Sequence, residues 1–271
     1  MKFFDLDGNE ISSIEDFVKT YSGDYYLKEL GDKGLVPGLR RCSEFVEKTI
    51  NTILCEGIQS RQDVARILAW KIGKIKHRAS QNSGKCDNER YFKYSKDWEN
   101  ADKLGDVWLY CKKKDRNHEN RFPIDKIASY IVNHKNKHEN LEEIAKNSPQ
   151  DFLNTINKYF KENKIGRMGT VYMITLLYFL SGGIYPIYDR FAMLALSAIY
   201  NEIKPESGKK VSIDVEFSEL PTKDSNRFSE VMSCEMAKYI KMLDDIFGDS
   251  WKKNRNIDRA LWVYGHLFEM K

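Results

Sequence analysis

Residues 152–199 read FLNTINKYFKENKIGRMGTVYMITLLYFLSGGIYPIYDRFAMLALSAI, and this stretch decides the fold. Apolar residues recur at helical spacing in three segments, which are separated by two short segments rich in glycine. The spacing predicts three helices, Pro149–Phe160, Thr170–Leu180 and Arg190–Tyr200. Asp189 stands where an N-cap of the third helix is expected. This part of the chain is therefore predicted to consist of helices joined by tight turns.

Helical patterns also predominate in the rest of the chain. A capping box, Ser12-Ser13-Ile14-Glu15, predicts a short helix to about Tyr21. Further helices are predicted at 39–55, from Ser60 to about 75, from Pro123 to 131, and at 141–145, 227–247 and 257–270. Val211, Ile213, Val215 and Phe217 alternate as in a short strand. The sequence thus predicts a mostly all-α fold, an irregular helical bundle with one short strand or β-hairpin near 211–217.

The composition indicates a folded protein that needs no metal or cofactor. The chain has 271 residues, of which 41% are hydrophobic and 31% charged, enough for a sizeable core. Its five cysteines show no paired CxxC spacing and form no zinc set with the five histidines. We therefore expect reduced thiols, no metal site and no cofactor.

The termini and apolar segments give no sign of export or membrane insertion. Residues 1–10 contain three acidic side chains and no apolar signal core. The most apolar stretch, Val171–Leu180, is ten residues long and too short to cross a bilayer. We expect a cytoplasmic protein without a membrane partner.

The net charge of +4 is modest, but the positive charges are clustered. Basic runs occur at 71–78, 112–116 and 252–255. Runs of this kind are usually solvated surface, so they permit a nucleic-acid partner without identifying one.

The glycine segment Ile165–Gly169 predicts a phosphate site. A tight hairpin between two helices leaves unpaired backbone N–H groups at the start of the second helix. Together with the helix dipole, these donors can bind one DNA phosphate without reading sequence. The residues that would form this site are Lys164, Gly166, Arg167, Gly169 and Thr170, with Arg190 as a further phosphate contact.

These motifs resemble the helix-hairpin-helix DNA glycosylases, most closely the branch that excises mispaired or modified purines. In that family a glycine hairpin opens an apolar helix, and a catalytic aspartate follows the last hairpin glycine by twenty residues. Gly169 and Asp189 have that separation, and Pro186-Ile187 precedes the aspartate as in the family. The resemblance covers 152–199. It implies a helix-hairpin-helix lobe at 122–200 and a second lobe formed by 1–121 and 201–271, in one globular protein.

The resemblance implies a catalytic role for Asp189. Cleavage of an N-glycosidic bond builds positive charge on the deoxyribose, which a carboxylate stabilises while it orients the attacking water. The family's lyase lysine would lie two residues after Gly169, where this chain has Val171, so a monofunctional reaction is expected. Arg167 replaces the first hairpin glycine, and the iron–sulfur cysteines are absent, with only Cys234 in that region. These departures indicate a divergent member.

Family members also read an extruded base with aromatic side chains. Here the candidates are Trp70, Tyr94, Trp108, Trp262 and Tyr264, of which Trp70, Trp262 and Tyr264 are the selected base-pocket residues. An aromatic residue on a helix is more often part of the core. Asp258 and Trp262 share one face of the last predicted helix. This helix either lines a cleft opposite Asp189 or only completes the packing of the fold.

The sequence is therefore compatible with three functions. The first is a DNA-binding glycosylase-like enzyme that excises a damaged or mispaired base through Asp189. The second is a non-catalytic helix-hairpin-helix module that binds the backbone of duplex DNA, in which Asp189 is only a helix cap. The third is an unrelated helical structural or interaction protein.

Overall fold

The protein is described by a computed structural model, which covers residues 1–23, 39–71, 124–134, 140–163, 170–205 and 235–270. Helices make up 74% of these residues, and the strands within them form one two-stranded sheet. The predicted mostly all-α fold is confirmed. The strand predicted near 211–217 lies outside the described residues.

The described elements follow one another in a simple order. The strands are β1 (Phe3–Phe4) and β2 (Glu10–Ile11). The helices are α1 (Ile14–Ser22), α2 (Leu39–Glu56), α3 (Arg61–Lys71), α4 (Ile124–Asn133), α5 (Leu141–Asn147), α6 (Pro149–Glu162), α7 (Thr170–Leu180), α8 (Arg190–Tyr200), α9 (Met236–Phe247) and α10 (Arg255–Met270). A 3₁₀ turn, Gly248–Trp251, joins α9 to α10. The bounds predicted for α7 and α8 are confirmed.

The N-terminal β-hairpin is a feature that the sequence analysis missed. Strands β1 and β2 are antiparallel, with Phe3 opposite Ile11. The carboxylate of Asp5 closes the turn between them, since one oxygen accepts the backbone N–H groups of Asp7 at 2.9 Å and Asn9 at 2.8 Å. Strands of two residues are too short to produce a detectable alternation of polar and apolar side chains.

The start of α1 differs from the predicted capping box by one residue. Ser13, not Ser12, is the N-cap, and its hydroxyl accepts the N–H of Asp16 at 3.1 Å. The Ser12 hydroxyl instead donates to the carboxylate of Asp16. Two adjacent serines offer two registers for the same helix, and only the folded chain selects one.

Two compact units divide the chain. The first contains the described parts of Met1–Val36, Pro186–Leu220 and Glu230–Lys271, and the second those of Pro37–Tyr185 and Pro221–Ser229. The boundary at Pro186 falls inside the predicted hairpin lobe at 122–200. The lobes proposed from the resemblance stay a prediction.

The first unit is built from β1, β2, α1, α8, α9 and α10. Helix α10 packs against α1 and α8, and α9 packs against α8. Its core includes an aromatic cluster in which Phe17 contacts Phe3, Tyr21 and Tyr264 at centroid distances of 5.1–5.3 Å. This cluster ties the N-terminal segment to the last helix.

The second unit is built from α2 to α7, with α7 packed against α2, α3, α5 and α6. Residues 173–180 of α7 are all buried, which explains why its sequence is apolar on every side. The helix ends in a Schellman motif, in which the N–H of Gly183 donates to Tyr178 and that of Gly182 to Phe179. The φ angle is +66° at Gly182 and +83° at Gly183, a conformation that favours glycine, so this turn requires both residues. No helix in the described ranges is both long and apolar enough to cross a membrane.

Candidate active site around Asp189

Asp189 caps helix α8, as the sequence predicted. Its backbone is extended, with φ −136° and ψ 141°, and its Oδ1 accepts the N–H of Phe191 at 3.0 Å. Its carbonyl oxygen accepts the first helical bond, from Met193, at 2.9 Å. The residue is half-buried, and its carboxylate is held at the positive end of a helix.

The chain before and after Asp189 is in contact with other helices of the first unit. Ile187 and Tyr188 are buried, and the ring of Tyr188 meets the ring of Tyr239 edge to face, with centroids 5.4 Å apart. On the helix side, the backbone of Phe191 lies against Gly265 of α10. A Cβ atom at Gly265 would overlap the Phe191 carbonyl oxygen and lie 2.6 Å from its carbonyl carbon. Contacts with α9 and α10 therefore restrain the backbone on both sides of Asp189.

Tyr239 is a buried polar residue of this region. Burial raises its pKa well above the usual value, and the nearby carboxylates of Asp258 and Asp189 raise the pKa further. The phenol is consequently neutral at physiological pH. Asp258 itself forms an ion pair with the fully buried guanidinium of Arg255 one turn earlier in α10. Two carboxylates, a tyrosine and an arginine thus lie close together in the first unit.

A group of half-buried rings lies beside the first turn of α8. The rings of Trp262 and His266 are stacked with centroids 4.7 Å apart, and His266 lies 3.9 Å from the ring of Phe191. The exposed side chain of Arg190 places its guanidinium carbon 5.4 Å from the centroid of the Phe191 ring. The group combines aromatic faces with a positive charge at the first turn of α8, and aromatic faces of this kind can stack on a planar ligand.

The three selected base-pocket residues have different surroundings. Trp262 belongs to the half-buried ring group. Trp70 is 4% exposed and packs against Phe179 in the second unit. Tyr264 is 1% exposed, donates its hydroxyl to the carbonyl of Phe4 at 2.9 Å and belongs to the N-terminal aromatic cluster. Burial raises the pKa of Tyr264, as expected for a core tyrosine. The base-pocket role of all three stays a prediction.

Most of the predicted phosphate site lies outside the described residues. This applies to Lys164, Gly166, Arg167 and Gly169, as it does to the aromatic candidates Tyr94 and Trp108. Thr170 is described, and as the first residue of α7 it is 2% exposed. Thr170 belongs to the second unit, whereas Asp189 and Arg190 belong to the first.

Four residues of this region were not predicted from the sequence: Phe191 and Tyr239, which interact with Asp189, and Gly265 and His266, which contact Phe191. A glycine inside a helical pattern was the one available signal, because Gly265 weakens its helix unless close packing requires it. The other three look like ordinary members of amphipathic helices. In the described part of the chain, no group of three or more His, Cys, Asp or Glu side chains is arranged to hold a metal ion.

Comparison with known proteins gave no relative of this chain. No protein-family model matches it, and no similar curated protein or solved structure was found.

Proposed function

We propose that this protein binds DNA and hydrolyses the N-glycosidic bond of a damaged or mispaired base, with Asp189 as the catalytic carboxylate. The observation that carries the proposal is the setting of Asp189. One carboxylate oxygen is held by the N–H of Phe191, while the residue is half-buried beside Arg190 and the ring of Phe191. A carboxylate held in a fixed orientation is suited to stabilise an oxocarbenium-like sugar.

The chemistry assigned to Asp189 is electrostatic. As the bond between base and C1′ breaks, the carboxylate faces the positive charge that develops on the sugar, and it orients or deprotonates the attacking water. With Val171 in place of the lyase lysine, no Schiff base forms at that position, so the product is an abasic site on an intact strand. Such a hydrolase would act in DNA repair in the cytoplasm.

The other proposed contacts with DNA are to its backbone and to a base. The hairpin residues Gly166 to Thr170, with Lys164, would bind a phosphate of the duplex, and Arg190 would contact a second one. Of the aromatic candidates, Trp262 has the setting that best suits base stacking, since it is half-buried and its ring lies 6.0 Å from that of Phe191 in the first turn of α8. We assign the stacking role to Trp262 for this reason.

The test is abasic-site formation on a panel of duplexes that carry damaged or mispaired bases. Asp189→Asn keeps the acceptor for the Phe191 N–H and removes the charge, so it should bind duplex normally and lose at least about 100-fold in cleavage rate. Asp151→Asn is the matched control. Asp151 is an exposed aspartate in the first turn of α6, in the other unit, and its loss should leave the rate unchanged.

Two outcomes would reject the enzymatic proposal. Duplex binding without cleavage of any lesion would favour the DNA-binding module, and the cap hydrogen bond already gives Asp189 a structural role in such a protein. Absence of salt-dependent DNA binding would remove both DNA functions and leave a helical interaction protein.

A further inference from the structure

We propose that Tyr239 and Gly265 are positioning residues that fix the carboxylate of Asp189 by clamping the backbone on either side of it. The catalytic meaning of this clamp rests on the proposed function. Its existence does not, because both contacts can be tested without any substrate.

The first side of the clamp is the contact between Tyr188 and Tyr239. Tyr188 directly precedes Asp189 and is 4% exposed, and Tyr239 of α9 is 1% exposed. Their rings meet at 82° with centroids 5.4 Å apart. An edge-to-face pair of buried aromatic rings has a preferred geometry, so it fixes the extended segment that leads to Asp189.

The second side is the contact between α10 and the first turn of α8. Gly265 lies so close to the Phe191 carbonyl that no larger residue fits there. The same Phe191 donates its N–H to Oδ1 of Asp189. The contact therefore restrains the residue whose N–H, in the adjoining peptide unit, orients the carboxylate.

Asp189 is half-buried. The Phe191 N–H and the backbone on either side contribute to the position of its carboxylate. Catalytic groups must be held closely, since a displacement of about 1 Å costs about 100-fold in rate. Tyr239 and Gly265 supply this precision from helices distant in the sequence.

The substrate-free test is amide hydrogen exchange at two helix caps. Phe191 reports on the Asp189 cap, and Asp16, which donates to Ser13 in the same unit, is the reference. Tyr239→Leu should speed exchange at Phe191 about tenfold relative to Asp16, equivalent to about 1.4 kcal/mol of local stability. Tyr239→Phe keeps the ring and should match the wild type. If Tyr239→Leu does not fold, Tyr188→Leu removes the same contact from the other partner.

Phe17→Leu is the matched control, because Phe17 is a fully buried aromatic residue of the same unit whose ring contacts are with Phe3, Tyr21 and Tyr264 and include neither Tyr188 nor Tyr239. This control should speed exchange at Asp16 and leave Phe191 unchanged. Equal acceleration of both amides in Tyr239→Leu, or acceleration of neither, would overturn the clamp.

The activity test measures abasic-site formation by the same variants on a duplex from which the wild type excises a base. Tyr239→Leu should lower kcat about 100-fold with little change in KM, whereas Tyr239→Phe and Phe17→Leu should retain the wild-type kcat. Equal losses in Tyr239→Leu and Phe17→Leu would show a general effect of stability and reject the positioning role. If the wild type cleaves nothing, the proposed function fails, and the exchange experiment still decides whether the clamp exists.

Discussion

Gly265 packs directly on the backbone of Phe191, so that helices α8 and α10 touch without an intervening side chain. A Cβ atom at position 265 would also lie 3.1 Å from the Cα atom of Phe191. This contact joins the last helix of the chain to the turn that carries Asp189. It explains why a residue that weakens helices stands in the middle of α10.

Gly265→Ala should destabilise the protein by about 3 kcal/mol or more, because the added methyl group meets backbone atoms that cannot rotate away. Gly23→Ala is the control, since Gly23 has an ordinary helical φ of −65° and no atom of the described residues lies within 4 Å of its Cβ position. It should be neutral or slightly stabilising. Urea unfolding of both variants measures the difference. Similar stability of the two proteins would contradict the close contact.

Asp189→Asn and Asp189→Ala should differ in stability. Asparagine keeps an oxygen for the Phe191 N–H and should leave the free energy of unfolding within about 0.5 kcal/mol of the wild type, whereas alanine should cost about 1 kcal/mol. Ser148→Ala, which removes the cap of α6, should cost a similar amount. Denaturant titration of the three variants makes the comparison. If asparagine proved as costly as alanine, the charge of Asp189 would itself stabilise the fold.

Stability should fall at alkaline pH through the buried tyrosines. Burial raises the pKa of Tyr21 from 10.0 to about 12. Because the folded pKa is higher than the unfolded one, this contribution is complete below pH 10 and is lost as the pH rises towards 12. Tyr21→Phe should therefore show a shallower loss of stability between pH 10 and 12 than the wild type, as measured by urea unfolding across that range. Parallel curves would contradict the assignment.

Arg190 should contribute one phosphate contact to DNA binding. Arg190→Gln should weaken binding of all duplexes alike and reduce the slope of log K against log salt by about 1. Lys238→Gln removes an exposed positive charge from α9 in the same unit and should leave the slope unchanged. Fluorescence anisotropy at several salt concentrations measures both slopes. A slope that is the same in Arg190→Gln and the wild type would exclude the contact.

Local patterns in the sequence predicted much of the helical framework. The ends of α7 and α8 follow from turn glycines, a proline and a capping aspartate, which act within a few residues of one another. The N-terminal hairpin was missed because its strands are two residues long. The N-cap predicted for α1 was wrong by one residue, because Ser12 and Ser13 can each cap the same helix.

The surroundings of Asp189 could not be predicted in this way. Tyr188 and Tyr239 are far apart in the chain, as are Phe191 and Gly265, and neither pair has a distinctive local signature. Trp70, Trp262 and Tyr264 likewise appear as equivalent helical aromatics in the sequence, yet two are buried and one is half-buried.

The sequence by itself determined where helices begin and end around Asp189, and that this carboxylate caps α8, because hydrogen bonds of the backbone are local. Only the tertiary structure decided which rings reach the surface and which helices hold the aspartate in place. Those features depend on how distant apolar faces pack together, and many side-chain patterns satisfy the same helical spacing.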